Sequence, residues 1–237
     1  MRISYVIPSL NEHEGIRKTI ERIPMAHHKK NKDDVEIIVV DGLSTDGTPD
    51  VARKMGARVI METRRGYGRA YKTGLLESKG DIVVTGDADG SYSFEDAPTY
   101  LARLQKEGLD FITVNRFAGL APGSMNGKHR FGNFVLNMVT RFLFWIRLHD
   151  TQSGMWVIRR KTLETLPVES YSDGMPFSEE LKIRAFRRRD LRSKEVPGRY
   201  LPRTGEAKLS SWKDGWRNLK HLLRMRFQRS PRGNGSA

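Results

Sequence analysis

Residues 81–90 read DIVVTGDADG, a short apolar run that leads into two aspartates separated by one alanine. Residues 81–85 predict a buried strand, because their apolar side chains are continuous rather than alternating. Asp87 and Asp89 follow at the carboxyl end of that strand. Three strand-and-helix units precede it, so the pattern predicts an α/β fold with a mainly parallel central sheet and helices on both faces.

The other strands of the first half are predicted from the same kind of apolar run. They cover residues 3–7, 35–40, 57–61 and 110–114. Ligands of parallel sheets bind beyond the carboxyl ends of the strands. We therefore expect residues 8–12, 41–46 and 87–91, each of which follows a strand, to meet at one edge of the sheet.

Beyond Arg116 the alternation of strands and helices stops. Residues 117–128 contain three glycines and one proline and are expected to form a loop. Three long helices are predicted after it, over residues 131–148, 177–188 and 211–228. A length of 237 residues suits one α/β domain, alone or with a C-terminal appendage.

Composition excludes several classes of protein. There is no cysteine, so a disulfide framework and a thiolate metal site or nucleophile are excluded. The N-terminus does not resemble a signal peptide, and no apolar stretch reaches the ~18 residues that a spanning helix requires. These observations predict a cytoplasmic location.

The basic residues are concentrated near the C-terminus. The formal net charge is +14, and residues 182–237 hold 17 Lys and Arg against four acidic residues. Such a region predicts an anionic partner, which is a nucleic acid, an anionic membrane or a phosphorylated ligand. We predict no nucleic-acid partner, because the acidic site residues would be unexplained and no basic motif with interleaved aromatics is evident.

The motif Thr85–Gly90 predicts a metal site. Two carboxylates one residue apart at the end of a strand can both reach a hard divalent cation, which keeps other positions for water and a diphosphate. The alternative is a polar turn, in which Asp and Gly serve their backbone preferences. The position of the motif after three strand-and-helix units favours the metal.

Three further motifs precede it in the chain. Pro8-Ser9-Leu10-Asn11-Glu12 leaves the first strand with two polar groups, and Asp41 ends the second strand, where it can accept hydrogen bonds from a base or ribose. Residues 65–74 form a glycine-rich entry to a helix, which can hold phosphate. This segment lacks the last glycine of the dinucleotide fingerprint, so an NAD site is rejected.

Taken in order, these four motifs resemble the family 2 glycosyltransferases, which have the GT-A fold. The resemblance implies a nucleotide-sugar site in which Asp87 and Asp89 hold Mg²⁺ or Mn²⁺ on the diphosphate. The residues that it assigns to the nucleotide sugar are Pro8, Leu10, Glu12, Val40, Asp41, Lys72, Asp87, Ala88, Asp89, Arg203 and Lys208. Many members have two adjacent aspartates where this chain has Asp41-Gly42.

The second half is similar to the polyprenyl-phosphate sugar transferases, typified by dolichol-phosphate mannosyltransferase. The motifs that carry this similarity are Asn115-Arg116-Phe117, residues 128–133, residues 150–154 and residues 203–209. The similarity covers about residues 1–210, which we predict to be the catalytic domain, followed by a basic amphipathic helix and tail over 211–237. It implies inverting transfer of a hexose from a donor such as GDP-mannose or UDP-glucose to a polyprenyl (dolichyl) phosphate.

The residue types fit this chemistry. Arg116 and Arg130 flank the predicted loop, and arginine suits bidentate recognition of a phosphate; the resemblance adds Asn133 to this acceptor site. A phosphate acceptor is already an anion, so its attack on the sugar needs little or no general base. Catalysis then consists of positioning and of charge compensation on the diphosphate. We assign these roles to Asp89 through its metal, to Arg116 and Arg130, and to Arg203 beside the donor, where Lys208 is a further candidate.

Two other functions fit parts of this pattern. One is a soluble glycosyltransferase that acts on a small phosphorylated acceptor or a glycan. The other is a nucleotidyltransferase, which also uses an α/β sheet and paired aspartates. That class usually begins with a glycine-rich basic loop after the first strand, whereas this chain has residues 8–12 there.

The last predicted helix has one apolar stripe with cations beside it. The stripe comprises Trp212, Trp216, Leu219, Leu223 and Phe227. Aromatic anchors next to cations are typical of a helix that lies in a membrane interface. The helix over 131–148 can add to that surface through Leu136, Val139, Leu143 and Phe144. We therefore predict peripheral binding to the anionic cytoplasmic face of a membrane, the alternative being that both helices pack on the domain.

Overall fold

The structure of the protein is a computed structural model that describes residues 1–205 and 211–227. These residues contain seven strands: β1 (Arg2–Ser9), β2 (Asp34–Asp41), β3 (Arg58–Met61), β4 (Ile82–Thr85), β5 (Phe111–Leu120), β6 (Trp156–Arg159) and β7 (Ser193–Tyr200). They also contain nine α-helices: α1 (His13–Glu21), α2 (Met25–Lys30), α3 (Thr48–Lys54), α4 (Tyr67–Glu77), α5 (Ala97–Lys106), α6 (Gly127–Phe144), α7 (Arg160–Glu164), α8 (Phe177–Arg187) and α9 (Ser211–Phe227).

All seven strands form one sheet, in the order β3-β2-β1-β4-β6-β5-β7. Only β6 runs against its neighbours, since it pairs antiparallel with β4 and with β5 while every other pair is parallel. The carboxyl ends of β1, β2, β3 and β4 therefore lie along one edge. This arrangement confirms the predicted α/β fold with a mainly parallel sheet.

Helices cover both faces of the sheet, as predicted. On one face α1, α3 and α5 bury apolar side chains against the strands: Ile16, Ile20, Val51, Leu101 and Leu104. On the other face α4 and α8 do the same with Ala70, Tyr71, Leu75, Phe177 and Leu181. A third apolar cluster joins α6, α8 and α9, and includes Leu136, Phe144, Ile183 and Leu222.

Two strands were not predicted from the sequence, and one loop is shorter than expected. β6 has only four residues, and so short an apolar run has no readable period. β7 is polar and contains Pro197, which its position at the edge of the sheet tolerates. The predicted loop over 117–128 is wrong in its first part, because β5 continues to Leu120 and pairs with β7 there.

The two helices predicted to bind membrane pack against each other. α6 and α9 share the third apolar cluster, with Leu219 and Val139 partly buried in it. Within residues 1–205 and 211–227, no helix has both the length and the apolar character needed to cross a membrane. The division of the chain at residue 210 remains a prediction.

Gly74 allows α4 to approach the sheet closely, and its substitution tests this contact. A Cβ atom at this position would lie 2.3 Å from Cγ1 of Val6 and 3.0 Å from Cγ2 of Val40. Both valines are fully buried, so the strands cannot yield without loss of packing. We expect Gly74→Ala to lower the free energy of unfolding by about 1–3 kcal/mol, measured by urea denaturation.

The control is Gly132→Ala in α6, where a Cβ would have no neighbour within 4 Å. This change should leave stability unaltered or raise it by up to about 1 kcal/mol, because alanine is the better helix former. Equal stability of Gly74→Ala and the wild-type protein would contradict the close contact.

Candidate active site

The carboxyl ends of β1 and β2 are joined through the buried side chain of Asp41. Its Oδ1 accepts a hydrogen bond from the amide of Ser44 at 2.7 Å. Its Oδ2 accepts from the hydroxyls of Ser9 and Ser44 at 2.8 and 2.6 Å. Asp41 is fully buried, so these bonds replace its lost hydration and orient the loop that follows β2.

The loop after β1 is fastened to the loop after β2. Asn11 adopts a positive φ of 49°, a conformation that asparagine tolerates better than most residues. Its amide donates to Oγ of Ser44, and its Oδ1 accepts from the amide of Thr45. The amide of Glu12 donates to Oγ1 of Thr48 at 2.8 Å. The side chain of Glu12 is thereby held at the start of α1.

The first turn of α1 lies directly against the loop that carries the paired aspartates. A Cβ atom at Gly15 would lie 2.5 Å from the carbonyl oxygen of Ala88 and 2.9 Å from Cα of Asp89. Only glycine permits this approach. Glu12, one turn earlier, therefore lies beside Asp89. A cleft of about 200 Å³ opens here, and its lining includes Glu12, Gly15, Thr204 and Gly205.

Asp87 lies among aromatic rings from α4. Tyr67 and Tyr71 donate their hydroxyls to its Oδ1 at 3.1 and 2.9 Å. These tyrosines are four residues apart, so they share one face of the helix. Among the described residues, none donates a hydrogen bond to Oδ2 of Asp87.

Asp89 belongs to the loop after β4 and contacts the segment that follows β7. Its Oδ1 accepts from the amide and the hydroxyl of Ser91 at 2.9 and 2.6 Å. Its Oδ2 lies 3.7 Å from Nη2 of Arg203, which also contacts Oε1 of Glu12 at 3.2 Å. The amide of Thr204 donates to the carbonyl of Asp89 at 2.8 Å and holds Arg203 in place. The predicted donor residues Glu12, Asp89 and Arg203 are thus brought together.

The two aspartates repel each other at this site. Desolvation by the surrounding rings raises the pKa of Asp87 to about 6, and the charge of Asp89 acts in the same direction. The hydroxyls of Tyr71 and Tyr67 and the charge of Arg116 act against this shift. A divalent cation between the carboxylates would relieve the repulsion.

The donor set fits Mg²⁺ or Mn²⁺. Hard cations of this kind take carboxylate oxygens and keep several positions for water and phosphate oxygens. In residues 1–205 and 211–227 there is no group of three acidic or histidine side chains around one point. Among the described residues, Asp87 and Asp89 would hold such a cation, and the diphosphate would take positions beside them.

Four residues assigned to the nucleotide sugar lie in or beside the first two strands and the loop after β4. Pro8 and Val40 pair across β1 and β2 and are buried, and Ala88 is also buried. Leu10 is 47% exposed on the loop after β1. Their contacts with a nucleotide remain predictions, as does that of Lys208, which lies outside the residues that the structure describes.

Lys72 is fully buried in α4 rather than open to the site. Its ammonium donates to the carbonyls of Glu169 and Tyr171 and to Oδ1 of Asp173 at 2.8 Å. Three donors are all that an ammonium has. Lys72 therefore fastens the 169–173 segment, and a contact with a nucleotide sugar, which remains a prediction, requires one of these bonds to break.

Arg116 forms a buried ion pair that the sequence did not predict. Its Nε and Nη2 donate to the two carboxylate oxygens of Asp150 at 2.7 and 2.8 Å. Burial acts to raise the pKa of Asp150, but the charge and hydrogen bonds of Arg116, together with the charge of Lys182, outweigh it, and the pKa is lowered. The guanidinium lies over the ring of Tyr200, 5.2 Å from its centroid. No described residue bonds to Nη1, which leaves one edge of the guanidinium for a ligand.

The other two predicted acceptor residues lie on α6. Arg130 is exposed in the first turn, which Asn126 caps by accepting the amide of His129 at 2.9 Å. Asn133 is half-buried one turn later. Both stand beyond the loop that follows Arg116, as the sequence predicted, and their role in binding phosphate remains a prediction.

Sequence reasoning named Asp150 as a possible base or orienting group, but it missed the two tyrosines and the pairings that orient the site. Tyr67 and Tyr71 could have been found from their spacing of four on a helix that begins at a glycine-rich segment. Asp150 is 34 positions from its partner Arg116, and no local pattern reveals that pairing. Ser9 and Ser44 belong to motifs that were noted, but their bonds to Asp41 depend on two loops meeting.

The fold agrees with what comparison with known proteins finds. The model of glycosyl transferase family 2 matches residues 4–166. The chain therefore belongs to glycosyltransferase family 2, with the GT-A fold, and is an enzyme of that family. This confirms the resemblance drawn from the four motifs.

Two relatives come from Haloferax volcanii. The low-salt glycan biosynthesis hexosyltransferase Agl6 is 37% identical over 226 residues, which cover 93% of this chain and 53% of the relative. The dolichyl-phosphate hexose transferase is 33% identical over 213 residues, which cover 90% of this chain and 89% of the relative. The chain thus spans about half the length of the first relative and most of the second.

A solved structure has the same fold. Glucosyl-3-phosphoglycerate synthase from Mycobacterium tuberculosis, in complex with Mn²⁺, UDP-glucose and phosphoglyceric acid, superposes with a TM-score of 0.69 at 25% identity. The match covers 95% of this chain and 79% of that chain.

The metal assignment is tested by Asp89→Asn. The new amide keeps an oxygen for both bonds from Ser91 and removes only the charge. We expect the affinity for Mn²⁺ in the presence of nucleotide to fall by more than the roughly 10–100-fold that changes around a metal site cost. Isothermal titration calorimetry measures this, with Asp50→Asn on exposed α3 as the control.

A measurement of transferase activity is a second test of the metal assignment. EDTA should abolish transfer, and Mg²⁺ or Mn²⁺ should restore it. Full activity after exhaustive chelation would show that the aspartates do not act through a metal.

Proposed function

We propose that the protein transfers a hexose from a nucleotide-diphosphate sugar to a polyprenyl phosphate, with inversion at the anomeric carbon. One observation carries the proposal: Asp150, which holds the guanidinium of Arg116, begins the short segment whose Gly154 packs against Asp87, since a Cβ at Gly154 would lie 3.1 Å from Oδ1 of Asp87. A cation for an acceptor phosphate thus stands next to the carboxylates suited to a donor diphosphate. The site can bring two phosphorylated substrates together without their charges repelling.

The donor side has the means to stabilise a departing diphosphate. A divalent cation on Asp87 and Asp89 would offset the charge that develops there. Arg203 lies beside Asp89 and can supply a second positive charge to the same oxygens. Arg203 donates to Glu12, and the next residue, Thr204, is bonded to the carbonyl of Asp89, so the arginine is fixed beside the paired aspartates.

The acceptor side needs cations more than it needs a base. A phosphate monoester is an anion near neutral pH, so its oxygen can attack the anomeric carbon without losing a proton first. Asp150 is engaged by Arg116 through both oxygens and is therefore an orienting group rather than a free base. Nη1 of Arg116 and the exposed side chain of Arg130 would hold the phosphate.

The relatives support this choice of substrates. One is named a dolichyl-phosphate hexose transferase and another a hexosyltransferase of glycan biosynthesis. The solved structure of similar fold holds UDP-glucose with Mn²⁺, which supports a nucleotide-sugar donor and a divalent cation. GDP-mannose and UDP-glucose are the donors to try first.

A small phosphorylated acceptor is the second candidate, because phosphoglyceric acid is bound in that same structure.

An exposed apolar surface on α6 favours the lipid acceptor. Its residues are Phe131, Phe134, Val135, Met138, Phe142 and Trp145, which recur at helical spacing and are between 37% and 87% exposed. We call this set the α6 stripe.

The α6 stripe differs from the apolar face that the sequence suggested. Leu136 and Phe144 are buried against α8 and α9, and Val139 and Leu143 are partly buried with them. That part of the expectation is wrong, because these residues face the interior. On α9 the exposed apolar residues are Trp216, Leu223 and Phe227, as predicted, whereas the side chain of Trp212 lies outside what the structure describes.

Cations accompany the apolar surface. On α9, Arg217, Lys220, Arg224 and Arg226 are all exposed. The ammonium of Lys220 lies 5.4 Å from the centre of the Trp216 ring. Aromatic side chains beside cations suit the interface of an anionic membrane. We infer that the enzyme binds such a membrane from its cytoplasmic face, where the phosphate of a lipid acceptor lies.

The acceptor assignment is tested with Arg130→Ala and a short, soluble polyprenyl phosphate. Loss of a charge-assisted contact costs about 2 kcal/mol, so kcat/KM for the acceptor should fall roughly 30-fold while binding of the nucleotide sugar is unchanged. Arg147→Ala, an exposed arginine just beyond α6, is the matched control. Arg116→Ala is less informative, because it leaves Asp150 buried without its partner.

Two results would count against the assignment. Loss of nucleotide-sugar affinity in Arg130→Ala, with normal acceptor kinetics, would place this arginine on the donor side. Transfer to 3-phosphoglycerate but not to any polyprenyl phosphate would establish the second candidate.

Membrane binding is tested by sedimentation with vesicles. We expect stronger binding to anionic than to neutral vesicles, and weaker binding as salt rises. The double variant Phe134→Ser, Phe142→Ser should bind at least about tenfold more weakly, since each ring contributes about 1.5–3 kcal/mol when buried. Leu76→Ser, a 47% exposed leucine on α4, is the control. Protein that stays in the supernatant with anionic vesicles at low salt would contradict membrane binding.

A further inference from the structure

In addition to its apolar face, helix α9 makes polar contacts with the rest of the described structure, and two of them involve Asn218 and His221. Nδ2 of Asn218, a 4% exposed side chain, donates to Oε1 of Gln152 at 2.7 Å. Nε2 of His221 lies 2.9 Å from Oε2 of Glu180. The two contacts reach different segments, and only that of Asn218 reaches the loop that carries Asp150.

Gln152 is held between two helices. Its Oε1 accepts from Asn218 of α9, and its Nε2 donates to Oε2 of Glu179 of α8 at 2.7 Å. Its own amide donates to Oδ1 of Asp150 at 3.2 Å. The same carboxylate oxygen accepts from Nη2 of Arg116. A continuous series of hydrogen bonds therefore runs from α9 to the guanidinium at the candidate acceptor site.

The loop of residues 149–152 has no regular structure of its own and depends on such contacts. From α6, Oδ1 of Asn137 accepts from the amide and the hydroxyl of Thr151 at 2.9 and 2.8 Å. From α8, Lys182 donates to the carbonyls of Asp150 and Thr151 at 3.1 and 2.8 Å. Each of three helices thus contributes a buried polar side chain to one short loop, and Asn218 is the contribution of α9.

Asn218 is buried and Gln152 is half-buried, so the contact between them is partly shielded from water. If Asn218 is removed, Oε1 of Gln152 loses its donor from α9, and the side chain of Gln152 is held by fewer bonds. The loop next to Asp150 is then held less firmly, and so is the position in which Asp150 holds the guanidinium of Arg116.

We propose that Asn218 is a positioning residue of the acceptor site. Its hydrogen bond to Gln152 joins α9 to the 149–152 loop and holds that loop in place. Asp150, in the same loop, then directs Arg116 toward the acceptor phosphate. This rests on the proposed function in one respect, which is that Arg116 binds the acceptor. Helix α9 is then part of the transferase machinery, in addition to any contact with a membrane. Acceptor use should depend on it even when the acceptor is a soluble molecule.

The test compares Asn218→Leu with His221→Leu in the full chain. Both variants remove a polar contact of α9, three residues apart, but only the first touches the loop. With a short, soluble polyprenyl phosphate and no vesicles, Asn218→Leu should lower kcat/KM for the acceptor on the order of tenfold. Its calorimetric affinity for UDP with Mn²⁺ should stay within about twofold of wild type. His221→Leu should behave as wild type in both measurements.

The rate of amide hydrogen exchange in the 149–152 loop can be measured without an acceptor substrate. The amides of Thr151 and Gln152 donate to Asn137 and Asp150, so both should exchange slowly in the wild-type protein. Both should exchange faster in Asn218→Leu, by about the same factor as the kinetic loss, and should be unchanged in His221→Leu. Thermal unfolding checks that each variant is folded.

The outcomes separate this inference from the proposed function. Unchanged acceptor kinetics and unchanged exchange in Asn218→Leu would overturn the inference, and so would equal losses in both variants, because α9 would then act only through packing. If wild-type protein transfers to no polyprenyl phosphate, the proposed function fails. Faster exchange at Thr151 and Gln152 then still supports Asn218 as the anchor of the loop, and unchanged exchange overturns it.

Discussion

Two carboxylates meet at the end of β4, in surroundings that are partly closed to water, and the site around them is built to manage their charge. Asp87 is flanked by the rings of Tyr67 and Tyr71, which lower its hydration and return two hydrogen bonds. Asp89 is held by Ser91 and faces Arg203. Neither arrangement cancels the repulsion between the two carboxylates. A divalent cation between them would complete the balance and would attract the negative diphosphate of a nucleotide sugar.

The elements around the aspartates pack closely, and their contacts fix the positions of the two carboxylates. Gly15 brings α1 onto the backbone of Ala88 and Asp89, and Gly74 brings α4 onto β1. The segment after β7 closes the other side, since the amide of Leu201 donates to the carbonyl of Ser91 at 2.8 Å. Charged groups that are preorganised in this way need no rearrangement as charge develops during the reaction.

At the candidate acceptor site, the charged groups are a buried ion pair and not the paired carboxylates of a metal site. Arg116 and Asp150 are both removed from water, and a pair of this kind is stable only when the remaining polar atoms are also satisfied. The helices α6, α8 and α9 supply those bonds to the loop around Asp150. The same three helices form the third apolar cluster, and the α6 stripe lies on their outer surface. A surface suited to a lipid tail and a cation suited to its phosphate thus belong to one structural unit.

Much of the fold and part of the site could be predicted from the sequence, because they depend on neighbours within a few residues. Continuous apolar runs predicted the five strands of the first half, and the paired aspartates after β4 predicted where a metal would lie. The short β6 and the polar β7 lack such a signal. Partners distant in sequence were beyond reach: Asp150 for Arg116, three acceptors for the ammonium of Lys72, and Gln152 for Asn218. The exposed face of α6 was misjudged for the same reason, since its apolar residues surround the helix and only packing against α8 and α9 selects which of them are covered. Local pattern determined the elements and the candidate chemistry, whereas the pairing and burial of polar groups were decided by the tertiary structure, because the cost of removing a charge from water depends on everything that surrounds it.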